Sequence, residues 1–364
     1  MAKVAKYIKI MDWIMEQIAV GAVQPGEKLD SENILSETFK VSRQTVRRAL
    51  EELEKADYIT RVKGSGTYVS ENQSLIIPTT IDDSKLFKTV GIITTYLDAY
   101  IFPSIIQGIE TELTKKGFIL QVMSTKNIVE NELRALQMMS ESNLDGLIIW
   151  PSKSSLPCIN LNLYKSLSSK GLPMVFVDSY YPAFPATCVC IDDVAIGMTA
   201  TNHLISMGHT NITGIFPHED IQGHLRYQGY AKALVAAGLP LSDEHIHWYS
   251  KENVEEDLTK ASLWKSLKEC SAAFCFNDSL ALMLIDQLHH KEIFVPEDFS
   301  VVGVDNIFMA KRAELTSIIH PGEKLGTAVA ELLISMINGK RSENIFFQPQ
   351  LISRNSVKNL NSSL

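Results

Sequence analysis

Cysteine is scarce: only five occur in 364 residues, at 158, 188, 190, 270 and 275. An odd count without metal-ligand spacing argues against a disulfide framework or a zinc module, and fits a reducing, cytoplasmic compartment. Long apolar runs are also missing. None approaches the ~20 residues of a membrane span, and no signal-peptide apolar stretch follows the lysine-bearing N-terminus, so no membrane partner is expected. Catalytic signatures are lacking as well: there is no nucleophile elbow, P-loop, H-E-x-x-H or dinucleotide fingerprint. His245 with His247, and His289 with His290, have no carboxylate at metal-ligand spacing. The expectation is therefore no catalytic residue, no metal, no cofactor and no enzyme. Positive charge is in deficit, with 34 Lys+Arg against 42 Asp+Glu and a net −8, which excludes a general nucleic-acid coat. What remains is ordinary globular usage, 45% hydrophobic and 21% charged. At about 150 residues per domain that means two or three domains.

The charge is unevenly spread. Residues 1–70 hold 11 basic and 10 acidic side chains, the remainder 23 and 32. Apolar residues at Tyr7, Ile10, Met11, Ile14, Met15 and Ile18 follow helical spacing. A second helix is expected from Asp30-Ser31, burying Ile34, Leu35 and Phe39. Ser42 then caps a third, with Val46, Ala49, Leu50 and Leu53 inward and Arg43, Gln44 and Arg47 outward. Thr45 and Arg48 flank that face. A helix start favours phosphate, and Arg and Gln have the geometry to read base edges in the major groove. Residues 60–69 read as a hairpin turning at Gly64-Ser65-Gly66, with Arg61 and Lys63 beside the tip. A basic helix face alone is most often only solvated. Three helices followed by a basic hairpin is a much narrower pattern, that of a winged helix-turn-helix.

From Thr89 the pattern becomes alternating apolar strands and helices, a doubly wound parallel sheet. The rhythm restarts after Ile191-Asp192-Asp193, giving two similar lobes. Strands are read at 90–93, 118–122, 146–150, 174–177, 212–216, 272–276 and 301–304, and a helix at 254–267. Ligands lie at the carboxyl ends of such strands. There stand Asp178, Asn277-Asp278 and Asp305, with Arg226 opening a helix and Tyr96, Tyr100, Phe102 and Lys153 in neighbouring loops. Carboxylates, amides and a guanidinium suit paired hydroxyls, and aromatic rings suit the apolar face of a sugar. Each residue singly also has a plainer reading: Asn277-Asp278 and Asp192-Asp193 are helix caps, and the aromatics are core.

The stretch "SENILSETFKVSRQTVRRALEELEKADYITRVKGSGTYV" resembles the GntR family of bacterial regulators, over about Lys6 to Val69. That resemblance implies DNA contacts from Lys6, Glu32, Arg43, Gln44, Thr45, Arg47, Arg48, Lys63 and Gly66. Asp30 stands where that family usually has proline. The stretches "VDSYY", "IDDVAIGMTATNHLISMGHTNI", "RYQGYAKAL", "FCFNDSLALMLI", "VPEDFSVVGVDN" and "LTSIIHP" resemble the LacI-type effector domain, over roughly Thr89 to Val357. By that resemblance Asp178, Arg226, Asn277 and Asp305 match ligand-contacting positions, and His320 stands where a glutamine is frequent.

The expected architecture is an α+β winged helix-turn-helix domain (1–70), a linker (71–88) and an α/β periplasmic-binding-protein-like domain (89–364). Lobe one spans about 89–190 and 321–345, lobe two about 191–320 and 346–364. The paired resemblance implies a dimeric repressor of pseudo-palindromic operator DNA, released by a small sugar. L-arabinose is the implied sugar, with another pentose, a hexose or a sugar phosphate as alternatives. A solute-binding protein and a sugar-modifying enzyme are the competing readings.

Overall fold

The structure is a computed structural model that describes residues 6–19, 22–55, 57–62, 65–70, 88–98 and 101–363. It divides into two compact units, residues 1–86 and 87–364. The linker expected at 71–88 falls almost wholly outside the described residues.

In the first unit, α1 (Lys6–Ala19), α2 (Glu32–Thr38) and α3 (Arg43–Lys55) precede a hairpin of β1 (Ile59–Val62) and β2 (Gly66–Val69). Ser31 caps α2 by accepting from the Ile34 amide, and Ser42 Oγ accepts from the Thr45 amide at 3.3 Å. These caps satisfy donors that a helix start leaves free. Ile10, Ile14, Leu35, Val46, Ala49, Leu50, Leu53, Ile59 and Val69 form the core. Ile34 is an exception to the expectation: it is 49% exposed, because Leu35 alone takes the inward position on this short helix. The antiparallel hairpin pairs Ile59 with Val69 and Val62 with Gly66. The segment before α2 adds to it, Leu29 donating to the Thr67 carbonyl and Val69 to that of Glu27.

In the second unit the chain runs β3 (Lys88–Thr94), α4 (Phe102–Lys115), β4 (Phe118–Ser124), α5 (Val129–Glu141), β5 (Gly146–Ile149), α6 (Leu161–Ser169), β6 (Met174–Val177) and β7 (Thr187–Ile191). It continues α7 (Asp193–Ser206), β8 (Ile212–Pro217), α8 (Ile221–Ala236), β9 (Ile246–Tyr249), α9 (Val254–Asp257), α10 (Ala261–Glu269), β10 (Ala272–Cys275) and α11 (Asp278–His289). It ends β11 (Ser300–Asp305), α12 (Phe308–Arg312), β12 (Thr316–Ile319), α13 (Glu323–Ile337), β13 (Ile345–Phe347) and β14 (Leu351–Ile352).

Two sheets result. Lobe one has the order β13-β7-β6-β5-β3-β4, and lobe two β14-β12-β11-β10-β8-β9. All pairs are parallel except β12 with β14. The central strands are buried on both faces and so read as continuous apolar runs. The chain passes between lobes three times, after β7, after β12 and after β13. In each sheet the strand order reverses beside one strand, β3 and β8, which places a crevice at their carboxyl ends.

Helix pairs cross closely at glycines. A Cβ on Gly197 of α7 would lie 2.1 Å from the Arg226 carbonyl oxygen, and one on Gly229 of α8 would lie 2.1 Å from that of Val194. Gly108 of α4 and Gly326 of α13 repeat the arrangement in lobe one.

Two local expectations are corrected. The helix expected over 254–267 is two helices, α9 and α10. The Asp257 carboxylate turns back to accept from the Ser250 amide at 2.8 Å, which ties α9 to the end of β9. Arg226 does not open its helix: α8 begins at Ile221, so Arg226 lies in its second turn.

Candidate functional site

In the first unit Arg43, Gln44, Arg47 and Arg48 are exposed on α3, and Thr45 is half-buried beside Ser42. Arg47 is held by Glu32 of α2 through two contacts, Nη2 to Oε2 at 3.1 Å and Nε to Oε1 at 3.4 Å. That hydrogen bond raises the Arg47 pKa further and fixes the direction of its planar fork. The Arg48 guanidinium lies over the Tyr7 ring at 4.3 Å. The wing is tied to α3 where Arg61 Nη2 donates to the Arg47 carbonyl at 3.0 Å. Gly66, with φ of +137°, sits against the Lys28 side chain. Lys63 and the side chain of Lys6 lie outside the described residues. The remaining basic and amide groups share one face because α3 presents them at its first two turns.

In the second unit a cavity of ≈ 300 Å³ lies between the lobes. Tyr96 and Phe102 wall it from lobe one; Tyr249, Lys251, Val254, Asn277, Ser279, Leu280 and Met283 wall it from lobe two. Tyr96 and Phe102 meet edge to face, with ring centres 5.6 Å apart. Asn277 also caps α11, its Oδ1 accepting from the Leu280 amide at 2.9 Å, so the residue serves both readings. Tyr100 lies outside the described residues.

A buried charged cluster adjoins this cavity. Arg226 is 2% exposed, donating from Nε to Asp193 at 2.7 Å and from Nη1 to the Phe276 carbonyl at 2.6 Å. Its guanidinium lies over the Phe276 ring at 4.4 Å, and Lys251 Nζ lies 5.8 Å from the same ring. Phe276 therefore joins the cluster to the cavity. Burial disfavours the Arg226 charge, but Asp193, Asp305 and Asp178 hold it on. Burial pushes the Asp193 carboxyl up to about 7 against the pull of Arg226.

Asp178 follows β6 with φ of +60°, and Asp305 ends β11 with φ of +104°. These are backbone conformations that non-glycine residues rarely adopt, and both carboxylates act on the buried Arg226 charge. His320 Nε2 lies 3.1 Å from Asp178 Oδ1, and the Gly322 amide donates to His320 Nδ1 at 3.0 Å. Burial opposes a charged ring and Asp178 favours one, with a net upward push. The Nδ1 contact admits only the singly protonated ring, however, and this geometry decides for neutral His320 donating to Asp178. For Asp178, burial works upward, but the hydrogen bond from His320 and the charge of Arg226 hold its pKa below the ordinary value.

The structure thus brings Tyr96, Phe102 and Asn277 to the cavity, and Asp178, Arg226, Asp305 and His320 to the adjoining cluster. Lys153 is placed differently. Its ammonium turns away from the cavity lining to pair with Glu252 at 2.7 Å.

Sequence reading missed Tyr249 and Lys251, because β9 went unread and the loop after it was not considered. Lys251 pairs with Asp220. It also missed Asp193, taken with Asp192 as a capping pair. Asp192 does cap α7, accepting from the Ala195 amide at 2.9 Å, while Asp193 turns inward to Arg226. Gln222, whose side chain helps to lower the Asp178 pKa, gave no signal beyond its place near the start of α8.

Two family profiles match the chain: "Bacterial regulatory proteins, gntR family" over residues 6–69, and "Periplasmic binding protein-like domain" over residues 201–357. The chain is 37% identical to the arabinose metabolism transcriptional repressor of Halalkalibacterium halodurans, covering 97% of this chain and 96% of that one. It is 36% identical to the protein of the same name from Geobacillus stearothermophilus, covering 98% of each. Among solved structures, the LacI family transcriptional regulator of Enterococcus faecium with bound ribose superposes with a TM-score of 0.62 at 27% identity. That likeness covers 75% of this chain and all of the regulator.

Proposed function

We propose a sugar-released repressor, and the premise is plain: this chain belongs to the family of the arabinose metabolism transcriptional repressors. It is a DNA-binding regulator with a GntR-type winged-helix head and a LacI-type effector domain. The reading that follows is that the heads bind a pseudo-palindromic operator as a homodimer in the cytoplasm. One winged helix touches too few base pairs to be specific in a genome, and pairing supplies the rest.

α3 enters the major groove. Arg43, Gln44 and Arg47 read base edges, Thr45 and Arg48 hold phosphates, and Lys6, Lys63 and Gly66 add backbone contacts. A carboxylate facing phosphate would repel it, so Glu32 acts through Arg47, aiming its guanidinium.

The effector is a small sugar, L-arabinose by relationship. The observation that carries this half is the cleft itself. Aromatic rings of Tyr96 and Phe102 stand beside Asn277, and across Phe276 stand Arg226, Asp178, Asp305 and His320. Rings pack on the C–H face of a pyranose, and the charged groups take its hydroxyls in pairs. Arg226, Asp178 and His320 each already have a protein partner, so the cluster is preorganised. Sugar binding favours the closed lobes, and closure disfavours the head arrangement that fits the operator.

Calorimetry of the full-length protein against aldopentoses and hexoses tests the effector, followed by operator titration with the sugar that binds. The expected result is heat with L-arabinose and weaker operator binding in its presence. Heat only with a different sugar or a sugar phosphate would replace the effector, and operator binding indifferent to every bound sugar would overturn the mechanism.

A further inference from the structure

One loop of lobe one reaches lobe two and is hydrogen-bonded to both lobes. It follows β5 and spans Ser152 to Ser155. Ser154 Oγ accepts from the Ile221 amide at 3.0 Å, the Ser155 amide donates to the Glu219 carbonyl at 3.1 Å, and Ser155 Oγ donates to the His218 carbonyl at 2.6 Å. All three partners belong to lobe two: His218 and Glu219 follow β8, and Ile221 opens α8. Beside them Lys153 Nζ meets Glu252 Oε1 at 2.7 Å.

Each loop is held by contacts within its own lobe. On the lobe-one side stands Glu132, fully buried on α5. It accepts from the Ser152 amide at 2.6 Å and from Asn160 Nδ2 at 3.2 Å. The Tyr164 hydroxyl donates to it at 3.0 Å, and the Tyr181 hydroxyl lies 2.9 Å from both of its oxygens. Lys153 has φ of +48°, and its amide donates to Asn127 Oδ1 at 3.0 Å. A lysine in that backbone conformation is held there by its surroundings. On the lobe-two side the buried Glu219 carboxylate accepts from Ser250 Oγ at 3.3 Å and from the Lys251 amide at 3.2 Å, which sets the position of Glu252.

We propose that Lys153 and Glu252, carried on these two loops, are a latch that sets how tightly the second unit holds its effector and how readily its lobes part. A half-exposed ion pair is ordinarily worth little because water screens it and two long side chains lose freedom. Here the loops already hold both residues in place, which removes much of that entropic cost. The latch deepens the effector reading and rests on it. Its pair lies off the cavity lining and off the DNA-binding face, so it tunes binding without supplying recognition.

A charge-swap cycle in the full-length protein tests it: Lys153→Glu, Glu252→Lys and the double swap. Two quantities are read, calorimetric L-arabinose affinity and hydrogen–deuterium exchange at Ser155 and Ile221 without sugar. Each single swap sets like charges together and should weaken sugar binding about threefold to tenfold. It should also speed exchange at both amides, with operator binding retained. The double swap should restore both quantities to within about twofold of the parent. Single swaps that match the parent in both readouts would overturn the latch, as would a double swap no better than the singles. If the parent itself gives no heat with L-arabinose, the effector reading fails, and the exchange data alone decide the latch.

Discussion

Arg47 has one guanidinium and two demands on it. Glu32 takes donors from Nε and Nη2, which leaves the outer edge of the fork for DNA. Replacing Arg47 by alanine should weaken operator binding about tenfold or more and leave sugar calorimetry unchanged. An electrophoretic operator titration beside the calorimetry checks this, and undiminished operator binding would remove α3 from the interface. Asp278 gives a prediction of another kind. Burial pushes its carboxyl up to about 8, and it accepts from Ser317 Oγ at 2.7 Å and the Ile307 amide at 2.9 Å. Unfolded aspartate titrates near about 4. The folded state therefore keeps a proton that the unfolded chain loses as pH rises. This contribution to stability is full below about pH 4, falls between about 4 and 8, and is flat above. Asp278→Asn keeps the shape, its one oxygen accepting from the Ile307 amide while its NH2 donates to Ser317 Oγ, so its melting temperature should depend less on pH over that range and exceed the parent's at pH 8. Equal pH slopes for the two proteins would show that Asp278 is ionised when folded. Both residues stood in the sequence reading, Arg47 for its place on a basic face and Asp278 as a cap. The burial that makes Asp278 unusual comes from β11 and β12, which sequence spacing does not bring to it.

The α7–α8 crossing shows how an element carries a site. Gly197 and Gly229 let the two backbones meet, and that approach sets Arg226 of α8 against Asp193 of α7. Gly229→Ala would put a methyl carbon into the Val194 carbonyl. Overpacking of this sort costs about 1–3 kcal/mol, measurable by urea denaturation. Sugar affinity should fall with it, because the Arg226 fork shifts. An unchanged unfolding midpoint would mean that the helices part freely. At this scale the sequence was most legible in the central strands, where runs such as 146–149 and 301–304 are apolar without interruption. The edge elements were not. β9 (IHWY), β13 (IFF) and β14 (LI) are short and only partly buried, so they lack both the run and the alternation that mark a strand. Losing β9 cost the reading Tyr249 and Lys251. The other omissions have one cause, distance along the chain. Asp193 and Arg226 are 33 residues apart, Glu132 and Tyr181 are 49, and Lys153 and Glu252 are 99.

For the whole molecule, the question is how much energy must pass from cleft to head. A tenfold loss of operator affinity requires about 1.4 kcal/mol of difference in sugar affinity between the two states. Arg226→Gln tests whether the cluster supplies it. It leaves the buried Asp193 unpaired, which costs about 3–5 kcal/mol of effector-domain stability, and it should give a repressor that holds operator DNA but ignores sugar. Operator release by sugar in that variant would show that the cluster is structural only.

The three passages between lobes have a genetic consequence. Neither lobe is a continuous stretch of gene. β13 completes the sheet of lobe one, β14 that of lobe two, and Ser356 Oγ then holds the Val301 carbonyl at 2.6 Å and the Thr316 amide at 2.8 Å. A stop codon shortly after the α13 codons would strip both lobes at once while sparing every α3 codon. Constitutive alleles from a selection for derepressed growth should therefore include late nonsense mutations as well as early ones.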